Sequence, residues 1–472
     1  MLLLSRYLIF GIAGLTLLVQ SASANAVAVA FPEITSSFNA SIVLAGWVLS
    51  VFQLAMIVSI PVTGKAADAL GRKRTFMSVL VIFTVGAFLC AIAPNIYWLI
   101  LFRAIQGVGA GGFLTSAAGI VADTFPRSRQ RCIGLITSIA TVGVVLGPNV
   151  GGWLTESFGW RSNFWFAIPW GVVAFAAGMF LLKKDGERLK AVFDLKGAAV
   201  LALALVLLMV GLTTVGRQSS YIPWLTVASA FGLGLGLMIV FVRHERRAVE
   251  PMLDLEMFSG RRFMASNMFN FVFGLTTGGF VLLPLYAVTV YGASTIQSGL
   301  VVTPRAAAMM AASFVTSFML IRWGYRKPML FGTVLMVAAA ILLGLEFKKI
   351  SLLGFTLSGI AVMPVVIGMS GFGHGFIAPA ANNACIELMP DRVSTIMGLR
   401  QTLRHVGGAL GIAIASVVLA SAGSLAQGFQ WFFLGIALIS LVTIPFIFAM
   451  PRSPSDVPAS SAARSPVHAH LS

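Results

Sequence analysis

The sequence predicts an all-α polytopic membrane protein of about 14 transmembrane helices, arranged as two six-helix bundles plus a two-helix insertion. Three observations predict it. Hydrophobic residues make up 58% of the chain and charged residues only 10%, with a mean hydropathy of +0.94; soluble domains carry about 25% charge. Apolar runs near the roughly 20 residues that cross a hydrocarbon core follow one another along the chain. Basic residues gather in alternate segments between those runs.

Breaks rich in charge, proline or glycine place the spans near 7–30, 42–64, 75–94, 98–121, 131–155, 162–183, 195–216 and 222–243. The remaining spans lie near 264–290, 296–321, 327–346, 353–380, 396–420 and 426–450. The first apolar run continues to Phe31, longer than a secretory signal core, so Ala22-Ser23-Ala24 is read as membrane helix and not as a cleavage site. Segments on the side of the N-terminus hold most of the basic residues. Among them are Lys65, Arg72, Lys73 and Arg74 in one loop and Arg243, Arg246, Arg247, Arg261 and Arg262 in another. The opposite side holds Arg161, Arg217, Lys348 and Lys349. The bias predicts that both termini are cytoplasmic; the expected location is a bacterial inner membrane. The formal charge of +17 is therefore a topology signal, and no nucleic-acid partner is expected.

Six spans precede the charged stretch KKDGERLKAVFDLK (183–196), and six follow RHERRAVEPMLDLEMFSGRR (243–262), whose spaced Leu and Met fit a helix lying on the membrane surface. The predicted domains are residues 1–183, a linker with two added helices at 184–263, a second bundle at 264–450, and a disordered tail at 451–472 carrying His468 and His470. LGRKRTFM (70–77) and WGYRKPML (323–330) occupy equivalent loops of the two halves, a faint internal repeat. Cys90, Cys132 and Cys385 show neither a disulfide frame nor a metal set and are read as packing residues. No cofactor or metal is expected.

Three motifs carry chemistry. In GKAADALGRKRT (64–75), Gly64 and Gly71 are expected to make tight turns, while Asp68 sits as an acid in a basic loop, able to pair with Arg72 or approach a helix N-terminus. In LILFRAIQGVGAGG (99–112), Arg103 lies inside a span, where a charge costs about 2.5–3.5 kcal/mol and usually faces a cavity or partner. Gln106 follows one turn on, and Gly107, Gly109, Gly111 and Gly112 permit close helix approach. The glycines are no dinucleotide fingerprint, since no strand and no soluble βαβ unit surround them. GVVLGPNVGG (143–152) places Gly143, Gly147, Gly151 and Gly152 around Pro148, a smooth packing surface with a kink.

Together these motifs resemble the major facilitator superfamily, in its fourteen-span drug:proton antiporter branch. The first loop matches the family signature at Gly64, Asp68, Gly71 and Arg72. The fourth span matches at Arg103, Gln106 and Gly107, and the antiporter signature matches at Gly143, Gly147, Pro148, Gly151 and Gly152. WRSNFWFAIPWG (160–171), FDLKG (193–197) and LRHVGGALGIA (403–413) are similar to further pieces of that branch. The resemblance implies the major facilitator fold and alternating access between two bundles. It implies a cytoplasmic gate at Asp68 and Arg72 and a proton-coupling role for Arg103. Two departures stand out. The acid usual in the first helix falls at or near Ser23, and Ala66 and Ala69 replace a larger apolar and a basic residue.

No acid maps near mid-membrane; Glu346 comes closest. Arg305 follows Pro304, His374 sits in GFGHGFIAPAANN, and Arg404 lies roughly 13 Å from its span end at 1.5 Å per residue. Arg400 is expected to snorkel to the interface, Arg404 to face the pocket or serve packing, and Arg305 to face the pocket or cap carbonyls freed by Pro304. His374, with a reference pKa near 6.5, is the preferred proton carrier. Such a pocket disfavours organic cations and suits anionic, zwitterionic or polyhydroxylated solutes, with 36 Phe, 9 Trp and 6 Tyr available for stacking. The expected function is a monomeric secondary transporter, not an enzyme, exporting a small organic solute with protons as the coupling ion. Uptake of a vitamin-like aromatic solute, for instance a flavin, is the alternative, and a receptor or channel a remote one.

Overall fold

The computed structural model describes residues 2–125, 129–182, 194–215, 224–248, 260–346, 349–352, 355–388 and 393–453. The tail histidines, the 249–259 stretch of the expected surface helix and most of 183–196 lie outside the described residues.

Long helices dominate. The first half holds α1 (Leu2–Val29), α2 (Phe31–Ser37), α3 (Ile42–Leu70), α4 (Arg72–Ala91), α5 (Ile96–Gly111), α6 (Phe113–Thr124), α7 (Arg129–Phe158), α8 (Ser162–Trp165) and α9 (Ala167–Leu181). A hairpin follows, α10 (Leu195–Val215) and α11 (Trp224–Glu245). The second half holds α12 (Arg261–Gly279), α13 (Leu283–Tyr291), α14 (Thr295–Trp323) and α15 (Arg326–Gly344), then α16 (Gly359–Ile386), α17 (Val393–Ser421), α18 (Leu425–Leu441) and α19 (Thr443–Ala449). Thirteen stretches among the described residues are long and apolar enough to cross a membrane. The 30-residue α7 occupies the place expected for the fifth span. Their outer surface is greasy, with Phe180 88% and Leu225 85% exposed. A lipid-facing belt accounts for this; water would not.

Local chemistry sets the helix starts. Asn95 Oδ1 accepts from the N–H groups of Tyr97 and Trp98, both at 3.1 Å, and starts α5. Ser294 and Gln297 form a reciprocal capping box on α14. One element departs from expectation. The span placed at 353–380 begins instead at Gly359, and an antiparallel hairpin, β1 (Lys349–Leu352) and β2 (Phe355–Ser358), precedes it. LLGFTLS is apolar enough to read as membrane, but a run this short does not by itself tell strand from helix.

The repeat between halves is visible in the backbone. Gly71 (φ +100°) and Gly324 (φ +66°) both take the left-handed region just before α4 and α15. Each following loop is tied to the fourth long segment of its own half. Arg72 pairs with Asp123 and donates to the Gly119 carbonyl (2.6 Å), while the Tyr325 hydroxyl donates to Glu387 (3.0 Å). Gly64 contradicts its expected turn. It lies inside α3, which runs on to Leu70, and a Cβ there would meet nothing within 4 Å.

The α10–α11 hairpin lies along the seam between halves. Leu201, Leu205 and Met209 pack with Leu54 and Ile57 of α3 and with Ala409 and Ala413 of α17. Trp47 Nε1 donates to Thr213 Oγ1 (3.3 Å). Asp194 anchors the membrane-surface end, accepting from Gly197 N (2.9 Å) and pairing with His244 Nε2 (2.8 Å). Burial alone would raise the Asp194 carboxyl. The Gly197 N–H, the His244 contact and the Lys65 charge outweigh it and hold the carboxyl below its ordinary value. A depressed folded-state pKa contributes stability above the unfolded value and loses it as pH falls through the folded one. Hydrogen exchange in 195–215, corrected for intrinsic rates, is therefore expected to stay slow at neutral pH and to quicken only below about pH 4. An Asp194→Asn variant that reproduced the wild-type acid profile would show that this anchor contributes nothing.

Candidate functional site

The two halves meet along two helix pairs. In the first, α7 lies against α14: Gly152 rests on the backbone of Thr295 and Gly299 on the Pro148 carbonyl. Thr303 Oγ1 donates to Asn149 Oδ1 (2.8 Å), and the Ile296 N–H donates to Glu156 (2.8 Å). In the second, α3 lies against α17, with Gly46 over Ser416 and the Ser50 hydroxyl reaching the Ala409 carbonyl (3.5 Å). The Glu156, Thr295 and Gly46 contacts lie at the end of the bundle away from the N-terminus. Below them, toward the N-terminal side, a cavity of about 820 Å³ opens between the halves and runs along α14 from Arg305 to Ser317.

Four of the five pathway candidates line that cavity: Arg103, Arg305, His374 and Arg404. Arg103, on α5, is 1% exposed. Its Nε donates to the Val48 carbonyl of α3 (3.1 Å) and its Nη1 to Gln106 Oε1 (2.8 Å), while the guanidinium lies 4.1 Å from the Phe52 ring centre. Gln106, the fifth candidate, is fully buried behind Arg103 and off the cavity wall; it orients the arginine. The glycine string explains how α5 comes so close. Gly107 and Gly111 pack on α3 at Phe52 and Met56, and Gly109 packs on α4 at Phe83.

Across the cavity, the Arg305 guanidinium stacks 5.1 Å from the Phe280 ring centre, and its Nε has no hydrogen-bond partner. It faces the cavity and stacks on an aromatic ring, in place of the carbonyl cap considered for it. His374, 5% exposed, tilts against Phe273 at 4.9 Å, its Nδ1 also without a partner. Arg404 serves both expected ends: its backbone receives Gly274 of α12, and its side chain lines the cavity. Arg400 departs from expectation. It does not snorkel; it is 3% exposed, its Nη1 directed at Asn270 Oδ1 (3.4 Å), because α12 and α16 close over it. No Asp or Glu lines the cavity among the described residues.

Sequence reasoning missed the neutral half of this wall: Gln20, Ser21 and Asn25 on α1, Gln53 on α3, and Ser313 and Ser317 on α14. His405, quoted within the greasy run but given no role, lines it too. Spacing could have found the α1 set, since Ser21 and Asn25 share a helix face with the Gly143 and Gly147 contacts. Ser23, at or near which the resemblance places an acid, is 1% exposed, its hydroxyl unpartnered among the described residues and off the cavity. The antiporter-signature glycines have a plain geometric use. Gly143, Gly147 and Gly151 meet α1 at Leu18, Ala22 and Ala26, while Pro148 and Gly152 meet α14. Of the gate set, Arg72 is tied to α6 as described, Gly71 makes the turn, and the Asp68 side chain lies outside the described residues.

The family model of the Major Facilitator Superfamily matches residues 13–243 and 263–471. The chain belongs to the major facilitator superfamily. Within it, the chain is 30% identical over 427 residues to the multidrug resistance protein B homolog of Mycobacterium tuberculosis (strain ATCC 25618 / H37Rv), covering 87% of this chain and 75% of that one. It is likewise 30% identical over 380 residues to multidrug resistance protein 3 of Bacillus subtilis (strain 168), covering 79% and 72%. A crystal structure of the nucleoside transporter NupG superposes with a TM-score of 0.66 at 12% identity, over 94% of this chain and 99% of that one. As a major facilitator protein the chain is a multi-pass membrane transporter of small molecules and not an enzyme.

Proposed function

We propose that this major facilitator protein exports a small organic solute by alternating access, coupled to proton entry, as a monomer in a bacterial inner membrane with both termini cytoplasmic. The observation that carries the reading is the cavity between two helical halves, closed at one end by the α7–α14 and α3–α17 contacts. A carrier needs such a site at the interface of its repeats. Residues 1–183 and 264–450 would rock about it, with the Arg72–Asp123 tie as a cytoplasmic latch and the glycine faces of α7 as the seal. The multidrug names of the relatives support export.

One observation favours a second reading, uptake of an anionic or vitamin-like solute. The acid expected near Ser23 is replaced by an unpartnered hydroxyl, and among the described residues the cavity wall carries no carboxylate to cycle a proton. Flux in proteoliposomes under an imposed pH gradient separates the two: export predicts solute movement against the proton flow, uptake movement with it. His374 is the titratable cavity residue assigned the proton. In the same assay His374→Ala is expected to lose roughly a hundredfold or more of gradient-driven flux, the lower end of what a positioned proton-transfer group supplies. Full retention would remove it from the coupling.

A further inference from the structure

We infer that the central cavity is an anion-selective site whose ligand is a flat organic anion, its carboxylate or other oxyanion seated among Arg305, Arg404 and His374. This rests on the transport reading above and names its substrate class. Three formal cations, Arg103, Arg305 and Arg404, face one space, and among the described residues no acid lines it. Buried charges are ordinarily paired or bound to a counter-ion. Arg103 is spent on Val48 and Gln106. Arg305 is not: its stacking on Phe280 fixes the guanidinium plane and leaves Nε without an acceptor. His374, buried and held by Phe273, lines the same space. Arg305, His374 and Arg404 all line the same cavity, which places the three groups around one volume. An oxyanion in the cavity supplies the counter-charge that the lining arginines lack among the described residues, and an arginine can take it with two parallel N–H bonds.

The walls specify the rest of the ligand. The volume of about 820 Å³ is within the range of drug-sized sites. Phe52, Phe314, Met309 and Met310 offer apolar, polarisable contacts to a ring system, and Gln20, Asn25 and Gln53 offer neutral hydrogen bonds at the opposite side. An organic cation of the same shape meets three guanidinium groups and, among the described residues, no compensating carboxylate.

The test uses the full chain in nanodiscs of neutral phosphatidylcholine, so that no anionic headgroup competes for the site. Fluorescein and rhodamine 6G share one xanthene ring system but carry opposite charge. Anisotropy titration is expected to give fluorescein a Kd at least tenfold below that of rhodamine 6G. Arg305→Gln and Arg404→Gln are each expected to weaken fluorescein about tenfold, while Arg305→Lys, which keeps the charge but not the fork, weakens it about threefold. Thermal unfolding of each variant confirms that it is assembled. Addition of phosphatidylglycerol to the discs is expected to leave fluorescein affinity within twofold; a larger loss identifies a lipid headgroup as the anion and overturns the solute assignment. Rhodamine binding as tight as fluorescein, or no binding of fluorescein, overturns it too. Counterflow in proteoliposomes keeps the two readings apart. Rhodamine flux without fluorescein flux removes the anion site and leaves transport, and fluorescein binding with no flux of any solute does the reverse.

Discussion

Gly147→Leu is expected to abolish flux and to lower stability by about 1–3 kcal/mol, the range for forcing added volume into a packed interior. A Cβ at Gly147 falls 2.6 Å from the Ala22 carbonyl oxygen and 2.9 Å from Asn25 Cβ. One of these neighbours is backbone and the other sits next to it, so neither can swing aside. Gly151, one turn on, puts a Cβ 2.6 Å from Ala26 Cβ, so tilting α7 about Gly147 only moves the clash. The helices must separate. Ser21 and Asn25 line the cavity from α1, and separation displaces them. Gly11→Leu is the matched control, since a Cβ there meets nothing within 4 Å and the residue is exposed; it is expected to change neither quantity. Thermal unfolding and proteoliposome flux of both variants check the pair. Equal behaviour would mean that the close α1–α7 seam is incidental.

The seam shows why parts of this molecule were legible in its sequence. Glycine at fourfold spacing around Pro148 has one physical use in a long apolar helix, which is close approach, and that use appears in the structure. Arginine within apolar runs is equally informative, because its insertion cost demands a compensating site; Arg103, Arg305 and Arg404 all reach the cavity. Neutral amides and hydroxyls carry a smaller penalty and so leave a weaker mark, which is why Gln20, Asn25 and Gln53 went unread. Arg400 misled because its position near a span end fits snorkelling, whereas the helices covering it are set by packing that spacing along one helix does not encode. Gly64 misled for a related reason. A turn motif was assumed to end at the membrane surface, but α3 continues to Leu70. The strands at 349–352 and 355–358 misled because their Ile, Leu and Phe read as the start of the next span, and an apolar run this short does not tell strand from helix.

Arg103→Ala is expected to reduce flux about a hundredfold while changing stability by less than about 2 kcal/mol, the two opposing terms being of similar size. The side chain joins α5 to α3 through the Val48 carbonyl, holds Gln106, and lies on Phe52. Its removal costs two hydrogen bonds from a charged donor, each worth about 1.5–3 kcal/mol. Against that stands relief from burying a cation that has no carboxylate partner, a penalty of several kcal/mol per ion. Near-cancellation makes the stability change small. The functional change has no such offset. Phe52, Gln53 and Met56 line the cavity on the same stretch of α3, and Arg103 is the strut that fixes their depth against α5. Arg103→Lys keeps the charge but presents one donor centre where the structure uses two separated ones, so it is expected to recover less than a tenth of the lost flux. Thermal unfolding beside flux measurements distinguishes this from a folding defect: a large loss of stability with flux falling only in proportion to folded protein would assign Arg103 to the scaffold alone. Retention of the charge in α5 would then have no mechanical explanation, since a leucine would hold the helix in place at lower cost.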